Sequence, residues 1–442
     1  MEVRGGTYNW QRQGWPKVTV NRRVLRGELA AFATAFLAVQ RALRKPQDAE
    51  VVVRALTEEA VKTSEIEGVL VDESVVMSSI CRALGVAHAT NGFAKDVRAE
   101  GVAQMMLAVR EKWNAPLSAA LLKGFHRALT TGEEGRIAVG GFRSHKEPMR
   151  IIRRHADGTV ETRYEAPPSE RVPKEVAAFV KMWGSHAGTP ADVALKAAML
   201  HLHFESIHPF EDGNGRVGRA LVAKTLAEGL GVPLVLPVSA TVDRHRVAYY
   251  DEINEASRSL DCTNWAAFFV PVLTEVLTSF LAAARFVKAK RLYLQRYEAG
   301  FSERAKKVVL RLFADGEDGV RAGLSTAKWM RMAKVSKPTA TRDLAELAER
   351  GAIVPEALGG PATRYRLNTL LREPIEGINE GISDRILKLI ARRPGARLPY
   401  LKSVVGASTA TVERAVAALV RAGKIEHRGS KKTGGYYERL KG

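Results

Sequence analysis

The sequence predicts a mainly α fold: a helical core interrupted by one β-hairpin flap and followed by two small α+β domains. Three observations carry this expectation. Apolar residues recur at helical spacing through most of residues 24–297, and β-rich runs are confined to a short pair near residue 150 and to the last ninety residues or so. The third is a repeat. Ser336 to Ile353 (SKPTATRDLAELAERGAI) aligns without gaps with Ser408 to Ile425 (STATVERAVAALVRAGKI), 72 positions further on. The expected divisions are an N-terminal module at 1–92, the helical core at 93–285, a linker helix with the first small domain at 286–372, and the second at 373–442.

Charge separates these parts. The formal net charge is +20 and the pI about 10.0, but residues 301–442 hold 28 basic against 15 acidic residues, a net +13, whereas residues 1–300 hold only +7. The excess points to an anionic partner for the C-terminal part, and DNA is the candidate. No uncharged apolar run approaches the roughly 18 residues of a membrane helix, and Met1 to Trp15 is polar. A cytoplasmic protein with no membrane partner is therefore expected. Cys81 and Cys262 are far apart in sequence and read as two buried free thiols, with no cysteine-based zinc pattern.

Along the chain, Tyr8 to Pro16 (YNWQRQGWP) combines two tryptophans with turn residues, and helical patterns follow at Val24–Arg44, Asp48–Ser64, Ser74–Leu84, Phe93–Lys112 and Leu117–Leu129. Gly140 to Arg143 opens a different texture. Met149–Arg154 and Thr159–Ala166 are short β-rich runs joined around Asp157 and Gly158, a two-strand turn signal. Helices resume at Pro173–Trp183, Asp192–Phe204, Val217–Leu226, Ala240–Arg258, Thr263–Phe280 and Glu275–Tyr297.

Between the helices Asp192–Phe204 and Val217–Leu226 lies His-Pro-Phe-Glu-Asp-Gly-Asn-Gly-Arg-Val-Gly-Arg, residues His208 to Arg219. A helix N-terminus presents free N–H groups and about half a positive charge, so it suits an anion. Gly213 and Gly215 allow the backbone to bend into a nest around a phosphate, and Arg216 and Arg219 add guanidinium forks. The same loop carries a base, His208, and a carboxylate, Asp212, able to hold Mg²⁺ on phosphates. Together these are what phosphoryl or nucleotidyl transfer to a hydroxyl requires.

The run resembles the signature of Fic-domain proteins, H-x-F-x-[D/E]-G-N-G-R-x-x-R, at all eight specified positions. The resemblance implies transfer of AMP from ATP to a side-chain hydroxyl of a target protein. His208 would be the general base, Phe210 the anchor of the loop, and Asp212 the Mg²⁺ ligand. Asn214 and the amides of Gly213 and Gly215 would hold the α-phosphate, with Arg216 and Arg219 on the β- and γ-phosphates. Tyr249 and Tyr250 match the family's aromatic pair near the nucleotide base. The hairpin of residues 149–166 corresponds to the flap on which a target segment docks by strand addition. The Trp-x₄-Trp-Pro run resembles a domain of unknown function that often precedes Fic cores.

Thr63 to Gly68 (TSEIEG) resembles the family's inhibitory motif [S/T]-x-x-x-E-[G/N], and so does Thr130 to Gly135. The first ends a helix ahead of the core, where the family places its inhibitory helix. The second lies in the Gly-rich loop before the hairpin, where the family has no such element. Glu67 is therefore preferred over Glu134.

Each repeat copy has a Ser N-cap, an apolar stripe, a Gly stop and a β-type exit, which resembles a helix-turn-helix recognition helix entering a wing. Pro361–Leu367 and Arg428–Tyr437 are the expected wings. Two winged helices would thus follow the core, with Lys337, Arg342, Arg414, Lys431 and Lys432 as the DNA-binding candidates. The reading is an ATP- and Mg²⁺-dependent protein adenylyltransferase acting on Ser, Thr or Tyr, autoinhibited by Glu67, with a DNA-binding C-terminal part. The alternatives are removal of AMP from a modified protein and a DNA-binding regulator whose core senses nucleotide. A homodimer stays open.

Overall fold

A computed structural model describes residues 8–44, 48–87, 96–154, 158–185, 188–355, 364–369, 382–405, 409–430 and 434–439. The fold is mainly α, as the sequence predicts. The chain divides into two compact units, one comprising Met1–Phe280 with Glu376–Gly442 and the other Leu281–Ile375.

In the first unit, α1 (Arg26–Ala42), α2 (Ala49–Ile66), α3 (Glu73–Leu84), α4 (Val97–Glu111) and α5 (Ala119–Leu129) lead to the hairpin of β1 (Arg150–Arg154) and β2 (Val160–Glu165). Side chains set the helix starts. Asp48, Asp72, Asp96 and Ser118 each accept a hydrogen bond from a first-turn amide, a contact typically worth about 1 kcal/mol. Then come α6 (Val172–Trp183), α7 (Pro190–Ile207), α8 (Asn214–Leu230), α9 (Val238–Arg244), α10 (Arg246–Ala256) and the 35-residue α11 (Thr263–Tyr297).

Helices α7 and α8 form the centre of the core and are buried almost all round. Small residues such as Ala194, Ala197, Ala198, Ala220 and Ala223 let neighbouring helices approach closely. Gly213 and Gly231, both at positive φ (78° and 73°), bound α8 at its two ends. Two expectations change here. The single helix expected over Ala240–Arg258 is broken at His245, which caps α9 and α10 and whose Nε2 lies 2.8 Å from Glu275. The two overlapping helices expected over 263–297 are one, because no stop signal separates them. By length and composition α11 would pass for a membrane span. Its most apolar window, however, is 56 % buried inside the protein, with Trp265, Phe269, Leu273 and Leu277 in the core.

The second unit takes the end of α11 and adds α12 (Glu303–Ala314), α13 (Gly316–Arg321), α14 (Thr326–Ala333), α15 (Lys337–Glu349) and the antiparallel pair β3 (Ile353–Pro355) and β4 (Tyr365–Leu367). Trp329 is fully buried and donates to Asp343, which also receives both arms of the Arg304 fork at 2.9 Å. The repeat has a structural counterpart at the end of the first unit. There α16 (Ile382–Arg392), α17 (Leu398–Val405) and α18 (Thr409–Arg421) precede β5 (Ile425–Arg428) and β6 (Gly435–Glu438). In both copies a lone bridge joins the hairpin to the segment before the penultimate helix, through Leu324 to Tyr365 and Ala396 to Tyr436. Leu324 and Ala396 are again 72 residues apart, so the repeat extends upstream of the aligned stretch.

Candidate active site

Helix α7 ends at His208 in the left-handed region (φ 49°, ψ 60°), and this turn directs the chain into the loop before α8. The loop is held from four sides. Phe210 is fully buried and stacks on His126, with ring centroids 4.0 Å apart and planes 1° apart. Truncating such a ring typically costs about 3–5 kcal/mol. The His126 ring bridges backbone on either side: Gly140 N–H donates to Nδ1 at 3.0 Å, so Nε2 carries the hydrogen and donates to the Asp212 carbonyl at 3.1 Å. Burial pushes His126 down to about 4, which suits this neutral role. The Asn214 side chain accepts from the Phe210 amide and donates to the Phe210 carbonyl. Arg143, 2 % exposed, donates to the carbonyls of His208, Ile207 and Pro167 and to Ser169 Oγ. Burial holds it down to about 10.

The N-terminal arm fixes the wall beside this loop. Asn9 donates to Ser206 Oγ at 2.8 Å, Trp10 Nε1 to the Glu165 carbonyl at 2.8 Å and Trp15 Nε1 to Glu175 at 2.7 Å. Tyr8 packs edge-on against Tyr164, whose hydroxyl donates to the Ser206 carbonyl. The arm thereby ties β2 to the end of α7.

A cavity of about 590 Å³ opens over the loop, lined among others by Glu67, His208, Gly215, Arg219, Tyr249 and Tyr250, with Ile151 and Ile152 of β1 at its side. The predicted residues do not all face it in the expected way. Arg219 is 1 % exposed and donates from Nε to Thr63 Oγ1 and from Nη2 to the Thr63 carbonyl and to Glu67 Oε1 at 2.9 Å. Burial opposes its charge, and the Glu67 carboxylate with Tyr249 and Tyr250 raises its pKa well above the usual value. Glu134 instead sits exposed in the loop after α5, bridging to Ile137 through the backbone. Asn214, expected on the α-phosphate, is 2 % exposed with its amide committed to Phe210, so it clamps the loop.

Gly213 does supply the bend, at φ 78°, but Gly215 lies inside α8 without a positive φ. Its missing side chain leaves room instead: a Cβ there would collide with the Glu67 carboxylate. Arg216 pairs with Asp212 at 2.9 Å, and its Nε is buried without a partner. Tyr249 is 2 % exposed and shares a 2.7 Å hydrogen bond with His201, whereas Tyr250 is 41 % exposed at the cavity mouth. Burial, reinforced by the charge of Arg143, lowers His208 to about 4, leaving it unprotonated at neutral pH.

The Asp212 carboxylate is 56 % exposed, and no group of three or more His, Cys, Asp or Glu gathers into a cage among the described residues. A single accessible carboxylate fits Mg²⁺ carried on phosphates, an ion that keeps several waters and takes one or two carboxylates. Of the DNA-binding candidates, Lys337 and Arg342 are exposed on α15 and Arg414 on α18, while Lys431 and Lys432 lie outside the described residues, as do residues 361–363 of the first wing and Asp157 of the hairpin turn. His126, Arg143 and Glu205 escaped the sequence reading, whereas Thr63 entered it as the first residue of the inhibitory motif but not as a partner of Arg219. Only Glu205 carried a local signal, its i, i+3 spacing to His208.

The Fic/DOC family model matches residues 116–226, and a domain of unknown function (DUF4172) matches residues 8–86. A probable protein adenylyltransferase of Aquifex aeolicus is 42 % identical over 66 residues, 15 % of this chain and 20 % of that protein. A Fido domain-containing protein of Dictyostelium discoideum is 35 % identical over 96 residues, 20 % of this chain and 66 % of the other. The chain thus spans less than two thirds of either relative. A crystal structure of a Fic family protein from Desulfovibrio desulfuricans aligns over 80 % of this chain and 98 % of its own, at 20 % identity and a TM-score of 0.48. Fic-1 from C. elegans aligns over 60 % and 76 %, at 15 % identity and 0.43. With the signature intact from His208 to Arg219 inside the matched stretch, residues 116–226 are a Fic/DOC family domain.

Proposed function

We propose that this protein transfers AMP from ATP to a Ser, Thr or Tyr hydroxyl of a target protein, and that Glu67 holds it at rest. The observation that carries the reading is a neutral imidazole, His208, lining one cavity with the buried Arg219 and the N-terminal turn of α8. The name of the Aquifex aeolicus relative, a probable protein adenylyltransferase, supports it.

In this reaction the target hydroxyl attacks the α-phosphorus, its proton passes to His208 Nε2, and the bond from the α-phosphorus to pyrophosphate breaks. Positioned bases of this kind contribute about 10²–10⁴-fold. Arg216 and Arg219 offset charge on the leaving phosphates, and the amides at the start of α8 face the α-phosphate. Mg²⁺ bound through Asp212 would neutralise phosphate charge. The target strand would add to the two-stranded flap, where Ile151 and Ile152 are 38 % and 45 % exposed beside the cavity. Glu67 occupies the Arg219 fork that the γ-phosphate needs, so the resting enzyme is nearly silent.

The test is label transfer from α-³²P-ATP, in lysate and onto the protein itself, by the parent chain, Glu67→Gly and Glu67→Gly/His208→Ala. Label only in the middle case supports the reading, and none in any case sinks it. AMP removal is the second reading, favoured by one observation: Glu67 lines the same cavity as His208, where a carboxylate could orient water. Loss of label from a premodified target, abolished by Glu67→Gly, would select it.

The two repeat copies are proposed to be winged helices that bind DNA through phosphate contacts. Replacing Lys431 and Lys432 with alanine in the full chain should flatten the salt dependence of duplex binding by up to about two units of log–log slope. An unchanged slope would assign the basic surface to protein contacts.

A further inference from the structure

Three buried polar atoms near the base have no hydrogen-bond partner: His208 Nδ1, Glu205 Oε1 and His201 Nδ1. All three side chains project from the last two turns of α7 and its cap. Glu205 Oε2 lies 3.7 Å from His208 Nδ1, at the i, i+3 spacing that the left-handed turn at His208 brings together. Opposite them, α8 places a glycine. A Cβ on Gly218 would collide with Glu205 Oε1 and would stand 3.1 Å from His201 Nδ1, so both unpartnered atoms face one notch. His201 Nε2 in turn meets the Tyr249 hydroxyl at 2.7 Å.

We infer that Glu205 is a positioning residue: its carboxyl oxygen accepts from His208 Nδ1–H, and its own O–H donates to His201 Nδ1. The inference rests on the reading of His208 as base. The alignment fixes the tautomer, because a hydrogen held on Nδ1 leaves the Nε2 lone pair for the incoming hydroxyl proton. It also uses every orphaned atom in the cluster, and a buried orphan typically costs about 1–3 kcal/mol. Burial raises Glu205 to about 8, so the carboxyl carries the proton that this arrangement requires. The 3.7 Å separation closes to hydrogen-bond length by a small side-chain rotation, as such contacts do when substrate binds. Two competitors exist: the backbone carbonyl of Glu205 also acts on the His208 ring, and that of Gly218 on the His201 ring.

Glutamine reproduces a neutral glutamic acid atom for atom, accepting at the carbonyl and donating from the amide, which makes it the diagnostic variant. In the Glu67→Gly background, Glu205→Ala should lower kcat for AMP transfer at least about tenfold with KM for ATP within about twofold, while Glu205→Gln stays within about threefold of its parent. Gly218→Ala, whose methyl displaces the carboxyl, should behave like Glu205→Ala and serves if the latter fails to fold. Equal loss in Gln and Ala, or no loss in Ala, overturns the inference. Should the Glu67→Gly parent transfer no AMP, the reading of the enzyme has failed. The inference then still stands or falls on ¹⁵N spectra of ring-labelled histidine, with His208 assigned by its loss in His208→Asn. Nδ1–H should persist in the parent and the Gln variant and give way to a mixture in Ala; its persistence in Ala would show that the backbone carbonyl suffices.

Discussion

Two stretches of this chain read Thr-x-x-x-Glu-Gly, and the fold gives them different surroundings. Both place a buried threonine at or near the end of a helix and a glycine at positive φ after the glutamate, Gly68 at 74° and Gly135 at 86°. In the first, Thr63 and Glu67 converge on Arg219, which comes from a helix more than 150 residues away. In the second, Thr130 Oγ1 donates to the His126 carbonyl of its own helix and Glu134 stays exposed. The motif is thus a local helix ending that gains a distant partner only where the fold brings a cation to it.

The comparison can be broken or sharpened by four measurements. The largest effect is expected at His208, the proposed base. Adding His208→Ala to Glu67→Gly should reduce self-labelling by about 10²–10⁴-fold while calorimetry finds ATP affinity within about threefold. Next, Glu67→Gly should raise labelling about tenfold or more and Glu134→Gly less than about twofold; the reverse ranking would exchange the two motifs. The threonines should differ in stability. Thr63→Val leaves the buried Arg219 Nε without its acceptor and should cost about 1–3 kcal/mol in urea unfolding, whereas Thr130→Val should cost under about 1 kcal/mol. The smallest effect is with pH. Because His208 is lowered to about 4 it remains unprotonated as acid is added, so kcat/KM of Glu67→Gly should fall less than about twofold from pH 7.5 to 5.5. A histidine titrating near 6.5 would lose about tenfold over that range.

How far the sequence could be read follows the same distinction between local and distant causes. The hairpin, the loop residues His208 to Arg219 and the 72-residue repeat all have causes within a few positions, and each was legible. The break at His245 was not, because a glutamate thirty residues on accompanies it. Nor were Arg143 and His126, whose hydrogen-bond partners, Ser169 Oγ apart, are backbone carbonyls and amides that have no residue type to recognise. Gly215 was legible as a glycine in the motif but not as a space for the Glu67 carboxylate, since that volume comes from another helix. Helices α7 and α8 lack a polar face, so the sequence pattern undershot the length of both.

Helix α10 is eleven residues long and serves two neighbours at once. Tyr249, Tyr250 and Asn254 line the cavity, while Glu252 and Glu255 hold Arg393, each at 3.2 Å, and Glu252 also accepts from Tyr400. Burial raises Glu252, so this contact sits in a poorly hydrated place where small displacements matter energetically. A single rigid rod of this size cannot shift at one side and stay fixed at the other. To whatever degree an occupant of the C-terminal helices moves α10, thermodynamic reciprocity obliges a cavity ligand to change the affinity for that occupant by the same factor.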